Sequence, residues 1–370
     1  MTEKAKAAVL MEPEHFVIRE FPLPQLGPRD LLMKVKLCGI CGSDIHMWHG
    51  RSQIHEPWII GHEFIGEVAD AGSEALALRH LAIGDQIAVE LLIPCRQCRW
   101  CMEGKYEICE MDNVSLGPDH GRQFGCNIPL TRPPTPLWGG YSQYLYVPEQ
   151  ALVHKFHKQV SWQAGVTVEP LATAQHAIDR SHIKGGESCV VVGPGPIGLS
   201  VTAAAKHAGA EPVILLGTQG DVRRLEVGCK LGADYALDIT QVADPVAEVK
   251  RLLHGSGADV SVECSGAPAG SLLALRSVRK GGTSVLIGMS GMRELTLVPD
   301  ADIVFSEITV AGSLMSGHGY ERAMKIIESG RFPMEAMVTH EFPLAKIDEA
   351  YALMTSRRED PIKIALNPWA

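Results

Sequence analysis

Four cysteines fall within one short stretch, C-R-Q-C-R-W-C-M-E-G-K-Y-E-I-C, from Cys95 to Cys109. Their spacing is Cys-x2-Cys-x2-Cys-x7-Cys. Thiolates two residues apart can both turn inward on one ion, and Zn²⁺ prefers four soft ligands in a tetrahedron. Cys95, Cys98, Cys101 and Cys109 therefore read as a structural zinc site. Four protein ligands leave no open position, so such an ion holds structure and performs no reaction. Fortuitous clustering of buried thiols is a poor account of so dense a group. An iron–sulfur cluster is the more serious rival. The long last spacing and the absence of proline after Cys109 argue against it.

A second constellation lies upstream, in C-G-I-C-G-S-D-I-H at 38–46 and G-H-E at 61–63. Cys41, His62 and Glu63 combine thiolate, imidazole and carboxylate. A mixed set short of four strong ligands is what a catalytic zinc uses, because one position must stay open. A further carboxylate, Glu169 in V-E-P-L-A, precedes a nucleotide-binding zone and is expected at the seam between domains. Singly, each has a plainer reading. Cys38 and Cys41 read as small buried hydrophobes, His62 as a core histidine and Glu169 as a helix N-terminal charge. Their joint occurrence beside a four-cysteine cluster favours the metal.

The third motif is V-V-V-G-P-G-P-I-G, Val190 to Gly198. Gly193, Gly195 and Gly198 match G-x-G-x-x-G: one glycine for the turn, one for approach of a pyrophosphate, one for helix–strand packing. The bare motif is weak, but here it follows a strand and opens a helix. NAD sites usually carry Asp or Glu at the end of the next strand. Here Val213–Leu216 runs into Gly217-Thr218-Gln219-Gly220. Asp221 comes later, beside Arg223 and Arg224, which fit either the 2′-phosphate of NADP or a solvated helix face. The choice between NAD and NADP stays open at this level.

The elements that must position these groups change character along the chain. Residues 1–170 hold short strand-like pieces (AAVLM, LLMKVKLCGI, FIGEVADAG, GDQIAVE, YSQYLYVP) punctuated by Gly, Pro and Asp, as in an irregular β-rich domain. Residues 171–310 alternate apolar strands with helices, the signature of a doubly wound parallel sheet; one helix is expected over APAGSLLALRSVRKGG. Residues 311–370 are too few to fold alone and are expected to pack back on one of these domains. The segment 113–140 lacks periodicity and reads as a long loop.

At 370 residues the chain exceeds one compact core. Its net charge of −9, without a long basic run, disfavours nucleic acid as a partner. The start MTEKAKAAVL has no secretory pattern. The apolar stretch from Cys189 to Ala205 is broken by Gly-Pro-Gly-Pro, so no membrane partner is expected. Ten cysteines without a signal peptide point to thiolates rather than disulfides, and a cytoplasmic address is the default.

Together these motifs resemble the zinc-dependent medium-chain dehydrogenases, in their sorbitol (polyol) and threonine dehydrogenase branch. The match spans nearly the whole chain: C-G-S-D-x-H, G-H-E-x-x-G-x-V, the four-cysteine lobe at about 95–109, V-E-P-L-A, G-P-G-P-I-G, and E-C-S-G at 263–266. The resemblance implies an α/β protein, with a GroES-like β-rich catalytic domain plus a Rossmann doubly wound parallel-sheet domain, and a C-terminal segment returning to the first. It implies Cys41, His62, Glu63 and Glu169 as ligands of a catalytic zinc, Glu169 either directly or through water. It implies Ser43 and His46 as a proton relay and Asp44 as the carboxylate that orients His62. Gly193, Gly195, Pro196, Ile197, Gly198, Gly217, Thr218, Arg223, Arg224 and Cys264 would contact the cofactor. The implied reaction is hydride transfer between a secondary alcohol, a polyol or sugar alcohol, and NAD or NADP, with two Zn²⁺ per chain. An L-threonine-type amino-alcohol dehydrogenase is the alternative. A non-catalytic nucleotide-binding protein on the same fold is the reading from another class. A homodimer or homotetramer is expected. The 113–140 loop, with His120, Arg122, Phe124 and Trp138, is longer than usual; it shapes either the substrate pocket or an oligomer contact. Met47, Trp48 and Trp58 read as pocket walls or as core.

Overall fold

The computed structural model describes residues 3–51 and 57–370. The chain divides into two compact units, 1–169 with 338–370, and 170–337. In the first, the strand Leu31–Gly39 is the organising element. Its run of Leu, Met and Val is buried, while Lys34 and Lys36 lie half-buried on the other side and cover the rings of Trp369 and Trp162 with their ammonium groups. It pairs antiparallel with Glu63–Ala71, so that Gly39 faces Glu63 and Cys38 faces Phe64. This register sets Cys41, just past one strand, beside His62 and Glu63 at the start of its neighbour. On its other edge Leu31–Gly39 pairs with the C-terminal strand Lys363–Asn367 and with Tyr144–Val147. The sheet has the order Val338–Pro343, Lys363–Asn367, Leu31–Gly39, Glu63–Ala71, Gln86–Val89, Val153–Lys155. A separate hairpin joins Lys4–Glu12 to His15–Pro22.

Met47 and Trp58 belong to the buried core of this unit, and Trp48 packs on it, its ring 5.3 Å from that of Tyr351. Phe124 and Trp138 are also core: Phe124 meets Phe64 edge-on at 5.9 Å and stacks on Trp138 at 6.1 Å. The aromatic residues of the long loop thus anchor it.

The second unit is a six-stranded parallel sheet in the order Tyr235–Asp238, Val213–Gly217, Cys189–Val192, Ala258–Glu263, Val278–Leu286, Thr309–Gly312. Its central strands are buried throughout, which is why they read as continuous apolar runs. The order reverses between Cys189–Val192 and Ala258–Glu263, where such sheets bind dinucleotides at their carboxyl ends.

Two expectations need correcting here. The helix expected to run on to Gly282 stops at Ser277, and Val278 begins a strand. Val278 pairs with Ala258, and the Arg279 guanidinium donates to Asp259 at 2.6 Å, so strand contacts overrule the helical pattern. The second unit also extends past 310, to Met337. Thr309–Gly312 completes its sheet, and the helix Tyr320–Glu328 buries Ala323, Ile326 and Ile327 within it. The chain rejoins the first unit at Val338. Among the described residues no helix is long and apolar enough to cross a membrane.

Candidate functional site

The four cysteines converge. Cys95 Sγ lies 3.7 Å from Cys101 Sγ, and Cys98 Sγ lies 3.9 Å from Cys109 Sγ. A zinc–sulfur bond of about 2.3 Å in a tetrahedron requires sulfurs about 3.8 Å apart, so the cage fits the ion. Backbone N–H groups of Gln97 and Cys98 point at Cys95 Sγ, and that of Cys101 at Cys98 Sγ. Burial pushes the Cys98 thiol up, but hydrogen bonds from the Cys101 and Glu110 backbone and from Cys95 and Cys101 outweigh it and bring it to about 6. Cys101, where burial dominates, is pushed up to about 12. The lobe is tied down by Tyr106, whose hydroxyl donates to buried Glu90 at 2.8 Å. The other Glu90 oxygen contacts His154 Nε2 at 2.7 Å.

At the second constellation the donor atoms of Cys41, His62 and Glu63 lie within 4.8 Å of one another. Asp44 sits in the short helix Gly42–Trp48. Its Oδ2 accepts from the Cys41 backbone N–H at 2.8 Å and from the Tyr141 hydroxyl at 3.0 Å. Its Oδ1 lies 3.1 Å from His62 Nδ1. That carboxylate leaves Nε2 facing the trio, where Ser43 Oγ is 3.4 Å away. Sulfur, nitrogen and oxygen donors, with a carboxylate behind the imidazole, are the set that suits a zinc with an open position. His46, on the same helix, is exposed, as the outer end of a relay must be. Glu169 is buried near the start of the helix Val168–Ser181 and lies outside the trio.

Three neighbours escaped the sequence reading. Lys363 is 1% exposed and pairs with both oxygens of Glu63 and, at 3.3 Å, with the Ile40 carbonyl. Burial pulls its pKa down, but Glu63, Cys41 and Glu169 outweigh this and hold it above the ordinary lysine value. Were an ion to bind at the trio, Glu63 would face two cations and Lys363 would compete for its charge. Cys126 comes from the long loop, held by Asp112, which accepts from the Asn127 side chain and the Arg122 backbone. Its thiol faces His62. Burial lowers the imidazole pKa, but Cys126 and Asp44 outweigh it and raise His62 well above its usual value. Tyr141 is the third, linking Asp44 to the Tyr351 hydroxyl at 3.2 Å. No local pattern marks Lys363 or Tyr141, because Lys363 meets the site through pairing of the C-terminal strand and Tyr141 through backbone hydrogen bonds with Ala8 and Ile60, all distant in sequence.

In the second unit Gly193 has φ +99°, and a Cβ there would lie 2.8 Å from that of Ser265. Gly198 passes the Gly193 carbonyl so closely that a Cβ would stand 1.9 Å from its oxygen, with the Cys264 Cβ 3.5 Å away. Gly195 caps the helix Pro196–His207, whose first residues are Pro196 and Ile197. At the next strand end a Cβ on Gly217 would meet Pro194 at 2.8 Å, so packing explains the missing acid. Asp221 is turned inward: its Oδ2 accepts from the Thr218 backbone at 3.0 Å and hydroxyl at 2.7 Å, and its Oδ1 pairs with Arg224 at 3.2 Å. Arg223 is exposed on the same turn.

Comparison with known proteins agrees with this geometry. Residues 27–158 match the family model described as alcohol dehydrogenase GroES-like domain, and 196–329 match zinc-binding dehydrogenase. The chain is 32% identical to the erythritol/L-threitol dehydrogenase of Mycolicibacterium smegmatis, over 99% of this chain and 98% of that protein. It is 31% identical to the sorbitol dehydrogenase of Bacillus subtilis, with the same coverage. Among solved structures it resembles an alcohol dehydrogenase from Thermotoga maritima (TM-score 0.88, 26% identity, 99% of both chains). It also resembles a Sinorhizobium meliloti protein described as a zinc-binding dehydrogenase and solved bound to NADP (TM-score 0.83, 29% identity, 99% of this chain and 100% of that one).

Lys363→Ala should destabilise the first unit by about 3–5 kcal/mol in urea denaturation, because it strands the buried Glu63 carboxylate. Lys363→Met combined with Glu63→Leu should recover most of that loss. Because the folded-state pKa of Lys363 is raised, its contribution should be complete below pH 10.5 and fade as the pH climbs through the raised value. For the lobe, a chelator should open 95–109 to proteolysis while the second unit stays resistant. Protection of the lobe in chelated protein would refute a structural ion.

Proposed function

We propose that this chain, which belongs to the zinc-dependent medium-chain dehydrogenases and is thus an oxidoreductase acting on CH–OH groups, oxidises a secondary hydroxyl of a polyol or sugar alcohol. The observation that carries this reading is the Cys41–His62–Glu63 trio with Ser43 Oγ 3.4 Å from the inner nitrogen of His62. Relatives that act on erythritol, threitol and sorbitol, matched over nearly the full length, support the substrate class.

When bound, a zinc ion supplies Lewis-acid polarisation of the hydroxyl, and a nicotinamide dinucleotide accepts hydride. Cys41, His62 and Glu63 would hold the ion, with Glu169 as a further carboxylate for it or for Lys363. Asp44, 3.1 Å from Nδ1, would keep a proton there, so that Nε2 is the nitrogen that gives up its proton when an ion binds. Ser43 takes the substrate proton, and exposed His46 passes it to water. Cys95, Cys98, Cys101 and Cys109 would hold a second ion with no part in the reaction. The Gly193–Gly198 turn and the residues around Gly217 and Cys264 would cradle the cofactor. The inward turn of Asp221 takes its carboxylate away from a ribose 2′-hydroxyl, and exposed Arg223 suits a 2′-phosphate, which favours NADP. A small-molecule substrate, a cytoplasmic setting and a homo-oligomeric state complete the reading.

Metal analysis of unchelated protein should find about two zinc ions per chain. Initial rates on a panel of sugar alcohols and L-threonine, with each cofactor, test the substrate. Turnover of polyols with NADP ahead of NAD is expected, and turnover of L-threonine alone would overturn it. Ser43→Ala should lower kcat by about 10²–10⁴-fold with metal content unchanged. Arg223→Ala should raise KM for NADP and leave that for NAD unmoved.

A further inference from the structure

Glu263 ends the strand Ala258–Glu263, at the carboxyl edge of the parallel sheet, and is 1% exposed. A buried carboxylate needs a reason, since it must be supplied with hydrogen-bond donors to be tolerated. Its Oε1 has three: the Ser265 backbone N–H at 2.7 Å, the Ser265 hydroxyl at 2.6 Å and the Gly266 N–H at 2.8 Å. Its own carbonyl accepts from Ile287 at 3.1 Å and Gly288 at 3.0 Å, just past the neighbouring strand Val278–Leu286. On the other side Glu263 pairs with Val192, the last strand residue before Gly193. One residue therefore joins the ends of three adjacent parallel strands.

The surroundings are cleared for this carboxylate. A Cβ on Gly270 would lie 2.3 Å from Ser265 Oγ and 3.2 Å from Glu263 Oε1, and one on Gly288 would lie 2.4 Å from Glu263 Oε2. Ser265, held by Glu263, is the residue against which Gly193 is packed: a Cβ on Gly193 would lie 2.9 Å from the Ser265 N and Cα. Cys264, between them, donates its N–H to the Val192 carbonyl at 2.8 Å. Shape therefore passes from the Glu263 carboxylate to Ser265, and from Ser265 to the turn that receives a pyrophosphate.

We infer that Glu263 is a positioning residue for the dinucleotide: it holds the Cys264–Gly266 loop so that the Gly193 turn keeps its binding shape. It touches no reacting atom. The inference rests on the dehydrogenase reading, because that reading supplies the dinucleotide. What Glu263 contributes is reach and acceptor oxygens, so glutamine should serve and shorter side chains should not.

The test is titration of the metal-loaded protein with NADH and with NADPH, followed by nicotinamide fluorescence and accompanied by thermal melting. Glu263→Ala and Glu263→Asp should raise the Kd of the preferred nucleotide by about tenfold or more and shift the emission of the bound nicotinamide. Glu263→Gln should stay within about threefold of the parent. Ser265→Ala, which removes one donor with little change of volume, should weaken binding by about threefold or more and decides the matter if Glu263→Ala does not fold. A folded Glu263→Ala protein with parental affinity and emission overturns the inference, as does Glu263→Gln binding as weakly as Glu263→Ala. If Glu263→Ala does not fold, a Ser265→Ala protein with parental affinity overturns it. Failure of the parent to bind either nucleotide overturns the dehydrogenase reading itself, and this inference with it.

Discussion

The buried pair between Glu63 and Lys363 ties the C-terminal strand to the candidate metal site. Two charges withdrawn from water are tolerated only while each satisfies the other, so the position of either constrains the other's strand. Glu63 opens the strand beside Leu31–Gly39, and Lys363 opens the C-terminal strand on its opposite edge. Three strands must therefore hold their register for the pair to form. That register also places Cys41 and His62 together. A slip of one residue would turn both the pair and the ligands to the wrong face.

The pair also has a chemical consequence. A glutamate already bound to an ammonium is a weaker metal ligand than a free one, since the lysine has to be partly displaced. In the proposed site Cys41 and His62, the latter beside Asp44, would then be the firm members of the donor set, and Glu63 would divide its charge between Lys363 and an ion. Such sharing suits a site whose open position must admit and release substrate. The four-cysteine lobe has the opposite character. Its sulfurs are spaced for one ion, and its backbone N–H groups are aimed at sulfur.

The second unit uses the same economy. Residues at the ends of three parallel strands meet at Glu263, and the glycines around it exist where a side chain would displace the carboxylate or the serine it holds. The missing acid after the second strand has a comparable cause. Gly217 is packed under Pro194, and Asp221 is spent on capping its own turn.

Much of this was legible in the linear chain, because the motifs are local. The cysteine spacing, C-G-S-D-I-H, G-H-E and the glycine turn each place their groups within a few residues, where backbone geometry alone brings them close. The alternation of buried strands and helices between Cys189 and Leu286 was readable for the same reason, whereas the last strand Thr309–Gly312 was not. The hairpin strand His15–Pro22 was not: most of its residues are exposed and it carries no hydrophobic alternation. Nor was the strand beginning at Val278, whose Arg and Lys read as the end of a helix until Asp259 and Ala258 lay beside them. Long-range pairing alone decided that Lys363 meets Glu63, that Tyr141 holds Asp44, and that a loop cysteine faces His62. The four cysteines needed no tertiary contact to be recognised, since they fall within fifteen residues and their spacing alone lets them converge. The open site needed more, because its candidate ligands and relay lie together between Cys41 and Glu63, but the buried counter-charge Lys363 stands 300 residues from Glu63 and Tyr141 stands 97 from Asp44, distances only the folded chain closes.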